Sequence, residues 1–221
     1  MALDKSKTDP VLGQKIHELL VERGLETPMK VSEVNESAFE IIENSFRSIL
    51  EALNMDTSDD SLSHTPRRIA KMYTQEIFWG LNYNNFPKIM TIENKMEYDN
   101  FLIERGIKVH SVCEHHFVPI VGEAVVAYIP NGKVVGLSKL NRVVEYFSRR
   151  PQVQERLSEQ IWCALSYILD TENLAVMIRA DHFCVKTRGI EDENSDTITS
   201  KLGGAFFEGA LRNEFYQLIK L

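Results

Sequence analysis

The chain has 221 residues, 43% of them hydrophobic and 26% charged, with a formal net charge of −7. This is the composition of a globular domain, alone or with an appendage, and it excludes disordered, collagen-like and pure coiled-coil chains. The acidic balance argues against general nucleic-acid binding, and three cysteines are too few and the wrong parity for a disulfide framework.

No apolar stretch follows the start, so no signal peptide is expected. The longest uninterrupted apolar run is residues 124–129, far short of the roughly 20 that a membrane span needs. A soluble, cytoplasmic protein with reduced thiols is expected, with neither membrane nor nucleic acid as partner. Leu12, Ile16, Leu19 and Leu20 recur at helical spacing, and Gly24 is a stop. Phe39, Ile42, Phe46, Ile49, Leu50 and Leu53 mark a second helix. A third has Thr65 as N-cap and Pro66 at the first position, with Ile69, Met72, Tyr73 and Ile77 inward.

The period then changes. Residues 101–103 and 107–109 read as strand, and residues 117–129 are rich in β-branched side chains. Asn131-Gly132 reads as a hairpin turn into Val134-Val135. Helical spacing returns over residues 138–148, and Pro151 opens a further helix with Val153, Leu157, Ile161, Ala164, Leu165 and Ile168 inside. Residues 174–186 alternate as a strand, 191–196 form an acidic loop, and 197–199 a short strand. Gly203-Gly204 precede a last helix that ends near Leu221. The expected class is α+β, with residues 1–35 a separable helical extension and 36–221 the main domain.

The chemistry-bearing residues fall into a few groups. Cys113-Glu114-His115-His116 holds two histidines and a cysteine, and His182-Phe183-Cys184 holds another pair. On a continuing strand His182 and Cys184 share a face. Two thiolates and an imidazole are the donors zinc prefers, so Cys113, His116 and Cys184 are expected as metal ligands with a fourth position left to water. His115 and His182 are then the neighbours placed for proton transfer. Spacing alone leaves either histidine open as a fourth ligand, and also leaves open two unrelated buried cysteines beside surface histidines. Cys163 sits among Ile161, Ala164 and Leu165 and reads as a core residue.

Helix N-termini ordinarily attract acids, yet two predicted helix starts here carry cations. Arg67, Arg68 and Lys71 follow Thr65-Pro66, and Lys139 and Arg142 follow Ser138, itself a candidate N-cap. An anion there would meet cations, free backbone N–H groups and the helix dipole together. Lys186 and Arg188 add to the set, which reads as a polyphosphate site, with ordinary solvated charge as the alternative. No P-loop or dinucleotide glycine motif is present. Glu155, in a predicted first turn, is either a favourable helix-start acid or a carboxylate that accepts the adjacent N1–H and NH₂ of a guanine, with Gln154 adding an amide contact.

These motifs resemble those of type I GTP cyclohydrolases. The resemblance is carried by the Cys113-Glu114-His115-His116 block, by Gly136-Leu137-Ser138-Lys139-Leu140-Asn141-Arg142 and by Arg150-Pro151-Gln152-Val153-Gln154-Glu155-Arg156-Leu157. His182-Phe183-Cys184-Val185-Lys186-Thr187-Arg188-Gly189 and Thr65-Pro66-Arg67-Arg68-Ile69-Ala70-Lys71-Met72 complete it, so that it spans roughly residue 36 to the end. Arg67 stands where some relatives have histidine. The resemblance implies the tunnelling fold, a helical N-terminal part followed by a four-stranded antiparallel sheet with helices on one side. It also implies a homodecamer of two pentameric rings face to face, with sites at subunit interfaces. The reaction implied is GTP plus water to 7,8-dihydroneopterin triphosphate plus formate, the entry to pterin and tetrahydrofolate synthesis.

By the same resemblance Cys113, His116 and Cys184 are the ligands of one zinc per subunit, and His115 and His182 the proton-transfer residues. Glu155 is the guanine anchor with Gln154 beside it. Ser138, Lys139, Arg142 and Arg188 are ribose and triphosphate contacts, and Arg68 and Lys71 are triphosphate contacts from a neighbouring subunit. Two other readings are carried along: a 7-deazaguanine nitrile reductase of the same fold, which needs a nucleophilic cysteine and a nicotinamide cofactor, and a non-catalytic module with a closed four-coordinate zinc.

Overall fold

The computed structural model describes residues 3–30, 35 and 37–219. Helix α1 (Pro10–Glu22) starts where Asp9 accepts a hydrogen bond from the Leu12 N–H at 3.0 Å, with Pro10 in the first turn. It ends at Gly24, whose φ of +67° is the left-handed stop that its position predicts. Ile16 and Leu20 are fully buried in the main core. The first segment therefore packs into the body of the chain, and the boundary expected at residue 35/36 falls beside residues outside those described.

Helix α2 (Ala38–Ala52) is followed by α3 (Thr65–Lys71), which continues into one π-helical turn, Met72–Ile77. Thr65 is the first helical residue and not the cap: His64 takes that place, with no side-chain cap bond.

The strands are β1 (Thr91–Glu93), β2 (Leu102–Cys113), β3 (Pro119–Tyr128), β4 (Lys133–Val135), β5 (Pro151–Gln152), β6 (Leu174–His182) and β7 (Thr197–Leu202). Between them lie α4 (Leu137–Ser148), α5 (Gln154–Leu169) and the single turn α6 (Phe183–Lys186), and α7 (Gly209–Leu218) comes last. The main sheet has the order β5-β2-β3-β6-β7, and its last four members are antiparallel. The two predicted strand pieces at 101–109 are one strand, β2, with a bulge between Glu104 and Ile107 where Gly106 turns left-handed.

Several expectations are corrected. Gly132 does turn left-handed, but β4 pairs with β1 and not back onto β3. Both edges of β3 are already taken, by β2 and β6, so a hairpin partner has nowhere to pair. Pro151 does not open a helix: with Gln152 it forms β5, parallel to the end of β2, and α5 begins at Gln154. The strand expected to reach residue 186 stops at His182. The end predicted for the last helix, Leu221, lies outside the described residues.

Alternation along the central strands sorts the core. Ala124, Val126, Val176 and Ile178 face the main cluster, which also takes Leu140, Val143, Val144 and Phe147 of α4 and Leu157, Ile161, Ala164 and Leu165 of α5. Val125, Ala127, Ala175 and Met177 face the other way, onto Phe101, Phe206 and Phe215. Four antiparallel strands with helices on one side were expected. The sheet has a fifth, two-residue parallel strand, and α7 brings Phe215 to the second face. No helix among the described residues is long and apolar enough to cross a membrane.

One close approach locks the sheet centre. A Cβ added to Gly122 of β3 would stand 2.1 Å from the Arg179 carbonyl oxygen and 2.5 Å from the Ala180 Cα, both backbone atoms of β6. Gly122→Ala is expected to cost about 1–3 kcal/mol by overpacking. A thermal melt checks this, and an unchanged melting temperature would refute the steric reading.

Candidate active site

Strand β2 ends at Cys113 and β3 starts at Pro119, so residues 114–118 form the connection. The Cys113 N–H donates to the Val118 carbonyl at 2.8 Å, and the Phe117 N–H donates to the Cys113 carbonyl at 2.9 Å. Closing the turn puts Phe117 at φ +55°, a left-handed conformation that costs a non-glycine residue about 1–2 kcal/mol. Its ring packs edge-on against Phe78 at 5.6 Å and Tyr73 at 6.1 Å, contacts that hold the strained residue in place.

At the other side β6 ends at His182 and turns through α6, which carries Cys184. This corner corrects the expectation that the two residues share a strand face. Cys184 swings to the turn, and ligand atoms of Cys113, His116 and Cys184 all lie within 4.8 Å of one another. Among the described residues that group holds neither His115 nor His182. The donors are two sulfurs and an imidazole nitrogen, a set that can hold a soft or borderline metal with one position open.

Burial pushes the Cys184 thiol up, and a hydrogen bond with the Cys113 sulfur adds to the effect, so a metal taken up here would displace the Cys184 proton. His116 accepts a hydrogen bond at Nε2 from Arg188 Nη1 at 2.6 Å, so its lone pair already faces a positive group. His115 is exposed, with Nδ1 3.8 Å from the Cys113 sulfur.

His182 is held differently. Its Nε2 lies 2.7 Å from Gln154 Oε1. The Gln154 amide nitrogen faces the carbonyls of Ile178 at 3.1 Å and Thr197 at 3.0 Å and the Thr199 hydroxyl at 3.2 Å. Donors meet acceptors only in that orientation, so Oε1 is the acceptor and His182 donates from Nε2–H, leaving Nδ1 as the free nitrogen. Burial lowers the His182 pKa, against an opposing effect of Glu155 and Asp181. The ring is therefore neutral near pH 7.

The family model for GTP cyclohydrolase I matches residues 42–220. A protein named GTP cyclohydrolase 1 from Yersinia enterocolitica is 53% identical over 207 residues, covering 93% of this chain and 94% of the relative. Those of that name from Klebsiella pneumoniae (strain MGH 78578) and Escherichia coli O1:K1 are 54% and 53% identical over 209 residues, again covering 93% of this chain and 94% of each relative. The chain belongs to the GTP cyclohydrolase I family. It is thus a member of a hydrolase family, and the positions expected from that family can be placed in the structure.

Gln154, expected as an amide contact to the base, is 1% exposed and committed to His182 and the strand backbone. Glu155, next to it in the first turn of α5, is exposed and close enough for its charge to act on His182. Ser138, Lys139 and Arg142 lie in the first turns of α4. Ser138 is not the cap, because Gly136 holds that position without a side-chain bond. No acid occupies the first turn of α3 or α4. Arg68 and Lys71 are exposed on α3, Lys71 lying 3.9 Å from Glu76. Lys186 is paired with Asp181 at 2.8 Å. Among the expected cations of the described residues, Arg188 touches the Cys–His–Cys group directly.

Sequence reasoning missed Glu114 and Arg156. The Glu114 carboxylate, inside the ligand turn, pairs with the Arg156 guanidinium on α5, and Arg156 Nε donates to Gln152 at 3.2 Å. A carboxylate between two metal-ligand candidates was the available signal.

Proposed function

We propose that this chain converts GTP and water to 7,8-dihydroneopterin triphosphate and formate, with one zinc held by Cys113, His116 and Cys184. The observation that carries the reading is the convergence of those three side chains beside a histidine oriented by Gln154, in a member of this family. When bound, zinc supplies a water acidic enough to attack carbon near neutral pH. A same-fold reductase would need a free nucleophilic cysteine, whereas Cys113 and Cys184 converge on each other and on His116.

The chain's own groups do the rest. Glu155 accepts from the N1–H and NH₂ of guanine, which fixes the face of the base. Lys139, Arg142 and Arg188, with Ser138, hold ribose and triphosphate, aided by the acid-free start of α4. His115 and His182 move protons at the purine. Protonation of N7 makes C8 attackable, and the later ring opening, formate release and closure of the pterin ring need proton shuttling and no second metal.

The subunit is read as a tunnelling fold assembling into two face-to-face pentamers, with Arg68 and Lys71 reaching a neighbour's triphosphate. Exposed Ile41, Ile49 and Leu53 and Ile198 of the edge strand β7 supply apolar surface for such contacts, and light scattering of the purified protein measures the mass. The three free cysteines accord with a reducing, cytoplasmic compartment.

The deciding experiment incubates zinc-loaded protein with GTP and follows formate and pterin absorbance, and absence of both overturns the reading. Orientation of His182 gives a second result. Gln154→Leu removes the acceptor, and turnover is expected to fall about 10²-fold while zinc content stays at the wild-type level. Unchanged turnover in this variant would show that His182 needs no such partner.

A further inference from the structure

The ligand turn is tied, through a buried polar chain, to the segment that follows α1. Arg156 joins Glu114 to Gln152, as described. Gln152 is fully buried and donates from Nε2 to the Phe147 carbonyl at 3.0 Å and to Gln160 Oε1 at 2.8 Å. Gln160, also fully buried, donates from Nε2 to the Leu25 carbonyl at 2.8 Å and the Thr27 hydroxyl at 3.3 Å. Both amides are oriented in one sense, each carbonyl accepting from the neighbour on the Glu114 side or the neighbouring amide, and each NH₂ pointing on toward residue 27. Turning either amide over leaves a buried donor facing a donor.

Such a chain has one low-energy arrangement, and the turn inherits it. Glu114 is fixed twice, by its carboxylate on Arg156 and by its N–H, which donates to the Gln152 carbonyl at 3.1 Å. Cys113 pairs with Gln152 in register across β2 and β5. The turn needs this support, because its closing residue Phe117 is left-handed and His115 and His116 are exposed.

We propose that Glu114 and Arg156 are positioning residues for the metal, and that Leu25 and Thr27 are the far anchor of the same support. The N-terminal segment then serves the metal centre without touching it. The inference rests on the reading that Cys113, His116 and Cys184 hold zinc.

The test uses the full chain. Zinc release to a chromogenic chelator and the thiolate-to-cobalt absorption of Co²⁺-loaded protein are measured for wild type, Glu114→Gln, Gln160→Met and Thr27→Val. The melting temperature of each metal-free protein is measured alongside. Glu114→Gln is expected to release zinc at least about tenfold faster, with a shifted cobalt band and metal-free melting like wild type. Gln160→Met and the near-isosteric Thr27→Val are expected to move release and the cobalt band in the same direction. Metal-free melting that falls while release and spectrum stay at wild type marks a merely structural role and overturns the proposal. A response to Glu114→Gln with none in both Gln160→Met and Thr27→Val overturns the N-terminal anchor. A wild-type protein that takes up no metal overturns the zinc reading itself, and this inference with it.

Discussion

Cys184→Ala is expected to lose the metal and turnover together, turnover by at least roughly 10³-fold, because binding to zinc brings the pKa of water far down, to about 7. Among the described residues three protein ligand atoms converge at the site, and Cys184 supplies one of the two sulfurs. Its removal leaves Cys113 and His116, close together in sequence, without the donor that comes from the β6 side. Metal analysis after dialysis and formate release under added zinc check both halves of the result. The matched control is Cys163→Ala: Cys163 is buried in α5 among Ile161, Ala164 and Leu165, so zinc content should hold and only packing should suffer. A Cys184→Ala protein that keeps stoichiometric zinc and wild-type turnover would exclude the ligand assignment.

Arg150→Met is expected to lower stability by about 3–5 kcal/mol, the usual cost of stripping one partner from a buried ion pair. Arg150 is fully buried, with its guanidinium 4.7 Å from the ring of Tyr83, 4.8 Å from that of Tyr146 and 4.9 Å from that of Phe147. One nitrogen, Nη1, donates to Glu26 at 3.3 Å, to Tyr83 at 3.1 Å and to Thr27 at 3.4 Å, while Nε and Nη2 find no acceptor among the described residues. Burial pushes the Tyr83 hydroxyl far above its ordinary phenol value, so it stays protonated and donates to Glu26. Methionine fills the aromatic cage but takes the guanidinium away from the Glu26 carboxylate, which among the described residues keeps its hydrogen bonds with the Thr27 N–H, Tyr83 and His17. Urea unfolding measures the loss. The double variant Glu26→Gln with Arg150→Met should recover much of it, since the stranded charge is gone. A single variant as stable as wild type would mean that the ion pair contributes nothing, the aromatic packing alone sufficing.

The convergence of Cys113, His116 and Cys184 was anticipated from donor types together with the family resemblance, because a metal centre needs particular atoms and few residues supply them, whereas spacing alone left His115 and His182 open as ligands. The pairing of β4 was not: Asn131-Gly132 is a sound turn, but whether a strand folds back depends on edges filled by residues 102–113 and 174–182. The inward turn of the Gln154 amide was not legible for a related reason. At the start of a helix an amide turned to solvent and one turned inward have the same sequence, and β6 and β7 decide between them. Glu114 and Arg156 lie 42 residues apart, so no local period announces their meeting. The N-terminal helix was readable as a helix from Leu12, Ile16, Leu19 and Leu20, but its burial against the main core needs partners that only the folded chain supplies.

The corner at the end of β6 carries one more consequence. A strand sends neighbours two apart in the same direction, so His182 and Cys184 would compete for one side had β6 run on. The helical turn gives them separate destinations, one to the Gln154 amide and one to the sulfur of Cys113. The two side chains are thus phased by a single intervening residue, Phe183. Inserting one residue beside Phe183 would rotate the proposed metal donor out of step with the proposed proton carrier, even though every side chain of both sets remained in the chain.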